Sequence, residues 1–197
     1  MILFVDRLPF YVVRPEPSGP EFLNVTVPVV PTDPVLSATG PPVPPQSDRP
    51  FRWKIDTACT TEGFVWRSHL LEAGLSPDRQ IVGRAVVNSA FDERLELPLR
   101  RLNLWLVSNI PYLQQHPFRV RIDNGLHVFR TRRPTTPLAL PIIGMRALDR
   151  AGVKVVTDFS TRTVSVWVSS PWPRTIAHAA RRLFAFPRTT PIRWANE

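Results

Sequence analysis

Prolines are spread along this chain, and they exclude a fold built from long helices. The chain has 23 of them among 197 residues, against 8 glycines. Proline inside a helix removes a backbone hydrogen bond and clashes with the preceding turn, whereas strand edges, turns and extended connections tolerate it. Hydrophobic residues make up 43% of the sequence, which is enough for a core. We therefore expect one mostly β domain with stiff connections and one or two short helices.

Stretches in which apolar residues alternate predict the strands of this domain. They are residues 22–30, 51–56, 80–88, 94–99, 102–108, 153–159 and 163–168. Residues 61–73 and 145–151 have a helical pattern and are each followed by a glycine, which predicts two short helices. Residues 118–129 are predicted to form a hairpin, because the Asp-Asn-Gly in their middle is a strong turn signal.

The predicted domain spans residues 22–168, with a shorter segment on either side. Residues 1–21 precede it as an N-terminal arm, and residues 169–197 follow it as a basic tail. We also predict two insertions within the domain. Residues 31–50 are rich in proline, which favours a surface loop or an extended insertion over a central strand. Residues 111–137 interrupt the strand pattern.

The chain is strongly basic, with a formal net charge of +9 that comes mainly from arginine. Such a charge attracts nucleic acids, acidic proteins and anionic membranes. In the tail, arginines are interleaved with tryptophans and phenylalanines, so nucleic acid and an anionic membrane are candidate partners. Residues 175–186 have the spacing of a short amphipathic helix. That spacing favours another interpretation, in which the aromatic side chains pack on the domain or on a second subunit.

Cysteine and histidine give no sign of a disulfide framework, a metal site or a cofactor. Cys59 is the only cysteine, which excludes an intrachain disulfide, and the four histidines lack metal-ligand spacing. The sequence has no glycine-rich phosphate loop. Residues 1–13 lack the features of a signal peptide, and no apolar segment reaches the length of a membrane span, so we expect a cytoplasmic protein. Cys59 and His69 are a further candidate pair, for a thiol protease, but a lone cysteine is more often a core residue.

Two short motifs contain the candidate functional residues of this chain. In the first, Phe-Arg-Trp-Lys-Ile-Asp-Thr-Ala-Cys, a predicted strand ends in the carboxylate of Asp56, followed by Thr57 and Ala58. In the second, Ile-Ile-Gly at residues 142–144 precedes a predicted helix and two strands. Taken alone, Asp56 and Thr57 would also suit the start of a helix as a capping pair. The order and spacing of the two motifs together resemble the retropepsin family, the single-lobe aspartic proteases of retroviruses and their relatives.

The resemblance implies a retropepsin-like fold, a closed barrel or sandwich with one or two short helices. It implies that Asp56 is the catalytic aspartate and that Thr57 forms a hydrogen bond across the axis of a dimer. Ile142, Ile143 and Gly144 would support the active loop from behind.

The resemblance also implies where a substrate binds. Ala58 stands where the family has glycine, so its methyl group would lie near the substrate groove or shift the loop slightly. Residues 83–94 correspond in place to the flap that closes over substrate in this family. Gly83 and Arg84 are therefore further candidate substrate-binding residues.

Hydrolysis by aspartates needs two carboxyl groups that share a proton, and this chain supplies one Asp-Thr motif. The resemblance therefore implies a homodimer, with Asp56 of each subunit at the two-fold axis. The expected function is that of an aspartic endopeptidase, with a peptide or protein as substrate and without a cofactor or metal. One alternative is the same fold used as a peptide-binding or dimerisation module that Ala58 has impaired. The other is a basic nucleic-acid-binding protein.

Overall fold

Strands dominate the structure, a computed structural model that describes residues 7–13, 25–34, 50–88, 94–130 and 139–169. It also contains two short α-helices and a short 3-10 helix at Pro111–Leu113. The prediction of a mostly β fold with one or two short helices is confirmed. Within the described residues, no helix has both the length and the apolar character needed to cross a membrane.

The strands follow one another closely along the chain, with a short helix after two of them. In chain order they are β1 (Arg7–Val13), β2 (Val25–Thr32), β3 (Phe51–Asp56), β4 (Gly63–Trp66), β5 (Ile81–Asn88), β6 (Arg94–Leu106), β7 (Phe118–Phe129), β8 (Ile142–Gly144), β9 (Lys154–Asp158) and β10 (Thr163–Ser169). Helix α1 (Arg67–Glu72) follows β4, and helix α2 (Met145–Arg150) follows β8. Each helix has only 6 residues, so tertiary packing stabilises it more than helix propensity does.

The larger sheet closes on itself into a barrel. Its strands follow the order β2–β3–β8–β4–β7–β6–β5, and β2 also pairs with β6. Val29 of β2 lies opposite Phe51 of β3 on one side and opposite Leu106 of β6 on the other. β5 pairs with the first half of β6, beyond this ring of strands.

Alternate residues of the strands fill the barrel interior. Val25, Val27 and Val29 of β2 are buried, and so are Trp53 and Ile55 of β3. This period of two is expected for strands that have one face in a core. Other strands contribute Val65, Leu102, Leu104, Leu106, Val120, Ile122, Leu126, Val128 and Ile143. Burying an aliphatic or aromatic side chain fully contributes about 1.5–3 kcal/mol, so this cluster is the main source of stability.

A smaller sheet, in the order β1–β10–β9, packs against the same core. The ring of Phe10 in β1 lies 6.3 Å from the ring of Phe118 in β7. The side chain of Asn109 holds β1 from the other side, since it accepts a hydrogen bond from Val12 N–H at 3.0 Å and donates one to the Val12 carbonyl at 2.6 Å. Residues 7–13 of the predicted N-terminal arm therefore form a strand of the folded domain.

The single helix predicted for residues 61–73 is wrong in its first half. Gly63–Trp66 form strand β4, and only Arg67–Glu72 are helical. Phe64 and Trp66 are half-buried on either side of the buried Val65, which is strand periodicity over a very short stretch. β4 pairs with β8 on one edge and with β7 on the other, and this pairing outweighs the helical spacing.

The hairpin predicted for residues 118–129 is also wrong, because these residues form the single strand β7. Its register with β6 shifts where residues 123–125 bulge out of the strand. Gly125 has a φ of 94°, a conformation that glycine adopts readily. The Asp-Asn-Gly signal therefore marks a bulge. Because β7 lies between β4 and β6, this part of the predicted insertion 111–137 belongs to the barrel.

Two further boundaries differ from the prediction. β2 extends to Thr32, which lies opposite Asn103 of β6, so the proline-rich segment begins later than residue 31. Residues 35–49 of that segment lie outside the described residues. The two strands predicted around Arg100 are one continuous strand, β6, because Arg100 is buried and pairs with Asp33 at 2.6 Å instead of turning toward solvent.

Candidate active site

Asp56 is the last residue of β3, and the backbone turns back directly after it. The N–H of Ala58 donates a hydrogen bond to Oδ1 of Asp56 at 3.0 Å, and the N–H of Cys59 donates one to the Asp56 carbonyl at 3.2 Å. The loop thus fixes its own carboxylate, as an Asx-type turn does. The Asp56 side chain is 26% exposed, so the carboxylate can still be reached from solvent.

The loop that follows Asp56 is hydrogen-bonded across the end of β8. Asp56 and Gly144 lie opposite one another in the parallel pair of β3 and β8. The N–H of Gly144 donates to the Glu62 carbonyl at 2.9 Å, and the N–H of Met145 donates to the Cys59 carbonyl at 2.8 Å. β8 and the first residue of α2 therefore lie behind the loop, and each is attached to it by a hydrogen bond.

Only glycine fits at position 144. A Cβ there would overlap the carbonyl oxygen of Thr61 and would lie 2.9 Å from Sγ of Cys59. Cys59 and Thr61 also contact each other, with Sγ and Oγ1 3.3 Å apart. The Thr61 hydroxyl accepts a hydrogen bond from Gly63 N–H at 3.2 Å. The loop is therefore closely packed where it meets β8.

The three residues predicted to lie behind the loop occupy different environments. Gly144 contacts the loop directly, and Ile143 is fully buried in the core. Ile142 is half-buried on the outer face of the barrel, opposite Lys54 of β3. The N–H of Lys54 donates to the Pro141 carbonyl at 2.8 Å, so the segment before β8 is bound to β3 as well.

Thr57 and Ala58, the other residues of the motif, are both exposed. Among the described residues, the positive-φ positions other than glycine are Gln80 and Arg162. Ala58 therefore has an ordinary backbone conformation, and alanine in place of glycine does not strain the loop. Its methyl group adds to the exposed surface beside Asp56.

A lysine beside the carboxylate was not predicted as part of the site. Nζ of Lys54 lies 3.5 Å from Oδ2 of Asp56, and the two side chains are 24% and 26% exposed. The residues are two positions apart on β3, so they share its outer face. That alternation is visible in the sequence and was the available signal for Lys54.

A largely apolar row of residues crosses the outer face of the barrel from this ion pair. Residues opposite one another on paired strands share a face of the sheet. From Lys54 the row continues through Ile142, Phe64, His127, Leu99 and Gly83. Phe64 and Leu99 are half-buried, and Gly83 is exposed. A row of partly exposed apolar side chains, interrupted by the buried His127, therefore extends from the Lys54–Asp56 pair toward β5.

Aromatic rings pack together along part of this row. The ring of Phe64 lies 5.0 Å from that of His127 and 5.5 Å from that of Phe129, and the ring of Trp66 lies 5.4 Å from that of Phe129. Burial lowers the pKa of His127 from its ordinary value of 6.5, although the hydrogen bond with the Gly63 carbonyl opposes this shift. At neutral pH, His127 is therefore an uncharged ring within the aromatic group.

Gly83 and Arg84, the predicted substrate-binding residues of the flap, are exposed neighbours in β5. Gly83 lies opposite Leu99, and no atom is found within 4 Å of where its Cβ would be. Arg84 points to the other face of the strand and pairs with Glu96 of β6 at 3.3 Å. Of the two, only Gly83 shares the face of the apolar row. Residues 89–93, which connect β5 to β6, lie outside the described residues.

An ion pair between a buried carboxylate and a partly exposed arginine connects the active loop to α2. Glu62 is only 3% exposed, and its carboxylate accepts hydrogen bonds from Arg150 of α2 and, at 3.2 Å, from the N–H of Asn124 in the β7 bulge. Sequence reasoning missed this contact, because its three residues lie far apart in the chain and leave no local pattern.

Three other predictions concern the pair Cys59 and His69, metal binding and the basic tail. Cys59, the nucleophile of the thiol-protease alternative, contacts Thr61, whereas His69 is buried in α1 with its ring edge-on to Trp66 at 5.7 Å. Over the described ranges, no group of three or more His, Cys, Asp or Glu side chains is arranged to hold a metal ion. Ser169, the first residue of the predicted basic tail, ends β10, and the rest of the tail, including its predicted helix, lies outside the described residues.

The surroundings of Asp56 combine a carboxylate fixed by its loop, a lysine next to it and an apolar surface beside both. A comparison of the chain with protein-family models, with curated proteins and with solved structures finds no match. The chemistry of the site must therefore be argued from these residues themselves.

Proposed function

We propose that this chain is an aspartic endopeptidase of the retropepsin type, which hydrolyses peptide bonds as a homodimer. The observation that supports this most directly is the pairing of Asp56 with Gly144, with the loop after Asp56 hydrogen-bonded across the end of β8. A catalytic carboxylate needs supporting contacts that keep it in one position during the reaction. A residue that only caps a turn has no need of such support from a distant strand.

Hydrolysis in this proposal uses Asp56 of both subunits. Two carboxyl groups side by side cannot both be ionised, so they share one proton. The ionised group takes a proton from a water molecule held between them, and the water oxygen attacks the carbonyl carbon of the scissile bond. The protonated group donates its proton to the carbonyl oxygen. The C–N bond then breaks as the leaving nitrogen takes up a proton.

The residues around Asp56 suit supporting roles in such an enzyme. Thr57 is exposed on the loop, where the corresponding loop of a second subunit can reach it. The substrate would lie along the apolar row, and the β5–β6 hairpin that carries Gly83 would cover it. The single cysteine suits a reducing compartment, and we take the cytoplasm as the place of action.

The substitution Asp56→Asn tests the chemistry. Asparagine has the same shape but cannot exchange the proton, so cleavage of an unfolded protein at mildly acid pH should fall by on the order of 10²–10⁴-fold. Cleavage by the unchanged chain should also be sensitive to pepstatin. Asp78→Asn is a matched control, because Asp78 is an exposed carboxylate that pairs with Arg67 at 3.1 Å. Full activity in the Asp56→Asn variant would refute the proposal.

Mixing subunits tests the homodimer. If each active site needs two Asp56 residues, a dimer in which one subunit carries Asp56→Asn is inactive. At constant total protein, activity after subunit exchange should then fall with the square of the unchanged fraction. A linear fall would mean that one chain is active alone. Sedimentation equilibrium of the unchanged chain should show a dimer at the concentrations at which cleavage is observed.

A second candidate function is peptide binding without hydrolysis. It is favoured by Ala58, whose exposed methyl group stands beside the Asp56 carboxylate where the resemblance leads one to expect glycine. Ala58→Gly removes that methyl group and should raise kcat if it obstructs the substrate. A chain that forms stable dimers and binds peptides, but cleaves them only as Ala58→Gly, would support this second function.

A further inference from the structure

The ammonium group of Lys54 is the positive charge that pairs with Asp56. It lies 3.5 Å from Oδ2 of Asp56, on the same face of β3, and its side chain is 24% exposed. On the neighbouring strands it faces Thr26 of β2 and Ile142 of β8, and neither side chain carries a charge. An ammonium group has three N–H donors. Lys54 can therefore also donate a hydrogen bond to a second carboxylate while its backbone stays in β3.

A substrate that brings its own carboxylate to Lys54 would form a charge-assisted hydrogen bond with the ammonium group, beside its ion pair with Asp56. Such a bond is about twice as strong as one between neutral groups. A carboxylate on the substrate would therefore be bound next to the catalytic aspartate.

We propose that Lys54 is a specificity-determining residue, and that it selects peptides with a glutamate or aspartate side chain close to the scissile bond. This inference rests on the proposed function and adds the substrate class to it. Ile142 and Phe64, next in the row, offer an apolar surface beside the ammonium group. The preferred peptide therefore carries an acidic side chain next to large apolar ones.

The charge of the whole chain suits such a substrate. The formal net charge is +9, so an acidic peptide is attracted over a longer range than the ion pair itself. Close to the site, Arg52 is the next residue on the outer face of β3, two positions before Lys54. Along the row itself, Phe64 and Leu99 are uncharged and His127 is neutral at neutral pH because burial lowers its pKa. The positive charge near the site therefore lies on the β3 side of the row.

Pairs of peptides that differ in one side chain, Glu or Gln, test the proposal. Each pair has Glu or Gln at one position on either side of the scissile bond, so length and apolar content are equal. For the position that meets Lys54, kcat/KM should be at least about tenfold higher with Glu, as expected for a hydrogen bond to a charged group. Equal rates for Glu and Gln at every position would overturn the proposal.

Three variants assign the preference to Lys54. Lys54→Met should cleave the Glu and Gln peptides at similar rates, and Lys54→Glu should prefer a peptide with Lys at the same position. Lys154→Met is the matched control, because Lys54 and Lys154 are the only lysines of the chain and Lys154 is exposed on β9. A preference for Glu that persists in Lys54→Met would assign recognition to another residue and overturn the proposal.

A binding measurement separates this proposal from the proposed hydrolysis. With ¹³C-labelled lysine, the chain gives one side-chain signal from Lys54 and one from Lys154. In the uncleaving Asp56→Asn variant, the Glu peptide should shift the Lys54 signal and leave that of Lys154 unchanged, and the Gln peptide should shift neither strongly. This shift without cleavage by the unchanged chain would refute the enzyme and keep the recognition site. Cleavage without a preference for the Glu peptide would support the proposed hydrolysis and refute Lys54 as the recognition site.

Discussion

Gly144 of β8 lies directly opposite Asp56 of β3, and the loop that follows Asp56 passes too close to Gly144 to leave room for a side chain. The two residues are far apart in the sequence, yet the position of one carboxylate depends on the absence of a methyl group at the other site. A change that pushes this loop away from β8 should therefore disturb both the stability of the barrel and the position of Asp56.

Gly144→Ala should lower the free energy of unfolding by about 1–3 kcal/mol, the usual cost of an overpacked contact. The added Cβ meets the carbonyl oxygens of Thr61 and Cys59, and backbone atoms cannot rotate aside. Urea unfolding followed by tryptophan fluorescence measures the loss. Gly83→Ala is the control, since nothing lies within 4 Å of its Cβ position, and it should change stability by less than about 1 kcal/mol. Equal losses in both variants would contradict this explanation.

Arg150→Met should be more destabilising than Glu62→Gln, although both break the same ion pair. The side chain of Glu62 is 3% exposed and that of Arg150 is 38% exposed. Removing the arginine leaves a buried carboxylate without its cation, which costs about 3–5 kcal/mol. Removing the charge of Glu62 leaves an arginine that can turn toward solvent, with a loss of about 1–3 kcal/mol. Urea unfolding of the two variants gives the order.

The variant that carries both Arg150→Met and Glu62→Gln shows whether the unpaired carboxylate causes the loss of stability. If the uncompensated carboxylate explains the loss in Arg150→Met, adding Glu62→Gln to it should restore part of the stability. If the double variant is less stable than the unchanged chain by the sum of the two single losses, the two residues act independently. That result would contradict the ion pair as the link between the active loop and α2.

Local patterns made some of this architecture predictable. The burial of Trp53 and Ile55 alternates up to Asp56, so the end of β3 could be read from a few neighbouring residues. Helix α2 was predictable for the same reason, since Ala147 and Leu148 give it one buried side. The pairing of Asp56 with Gly144 was different. Local spacing contains no information about which distant strand a residue faces, and only the family resemblance suggested that these segments meet.

The missed features depend on such distant pairing. β4 has only 4 residues, too few for their alternation to outweigh a helical pattern until both of its edges are paired. The turn signal before Gly125 produced a bulge, because β6 is long enough to pair with β7 on both sides of it. The sequence around Glu62 contains no local signal of burial, because its partners Arg150 and Asn124 come from distant segments. Lys54 could have been found, because two positions along a strand mean one shared face.

Stability should fall as the pH drops below the ordinary pKa of His127. Burial lowers this pKa from 6.5 in the folded chain, so the unfolded chain binds a proton more readily. The contribution of His127 is complete above that value and is lost as the pH falls toward the lower pKa of the folded state. The slope for one group cannot exceed about 1.4 kcal/mol per pH unit. Urea unfolding at several pH values between about 5.5 and 7 measures it, above the range of most carboxylates.

Substitution assigns this pH dependence to one histidine. His127→Leu keeps an apolar side chain beside Phe64 and should flatten the slope in this pH range. His116→Gln is the control for replacing a histidine outside the aromatic group, because His116 is exposed. If the free energy of unfolding of His127→Leu depends on pH as strongly as that of the unchanged chain, another group is responsible for the pH dependence.

Asn109→Ala should loosen β1 without unfolding the barrel. The Asn109 side chain is buried and satisfies both backbone groups of Val12, at 3.0 Å and 2.6 Å. Its removal leaves that N–H and carbonyl without their partner, at a cost of about 1–3 kcal/mol, so amide hydrogen exchange at Val12 should accelerate by about 5- to 150-fold. Asn124→Ala is the control, because the exposed Asn124 uses its backbone N–H for Glu62, and it should leave exchange at Val12 unchanged. If Val12 exchanges at the same rate in Asn109→Ala as in the unchanged chain, pairing with β10 alone holds the strand.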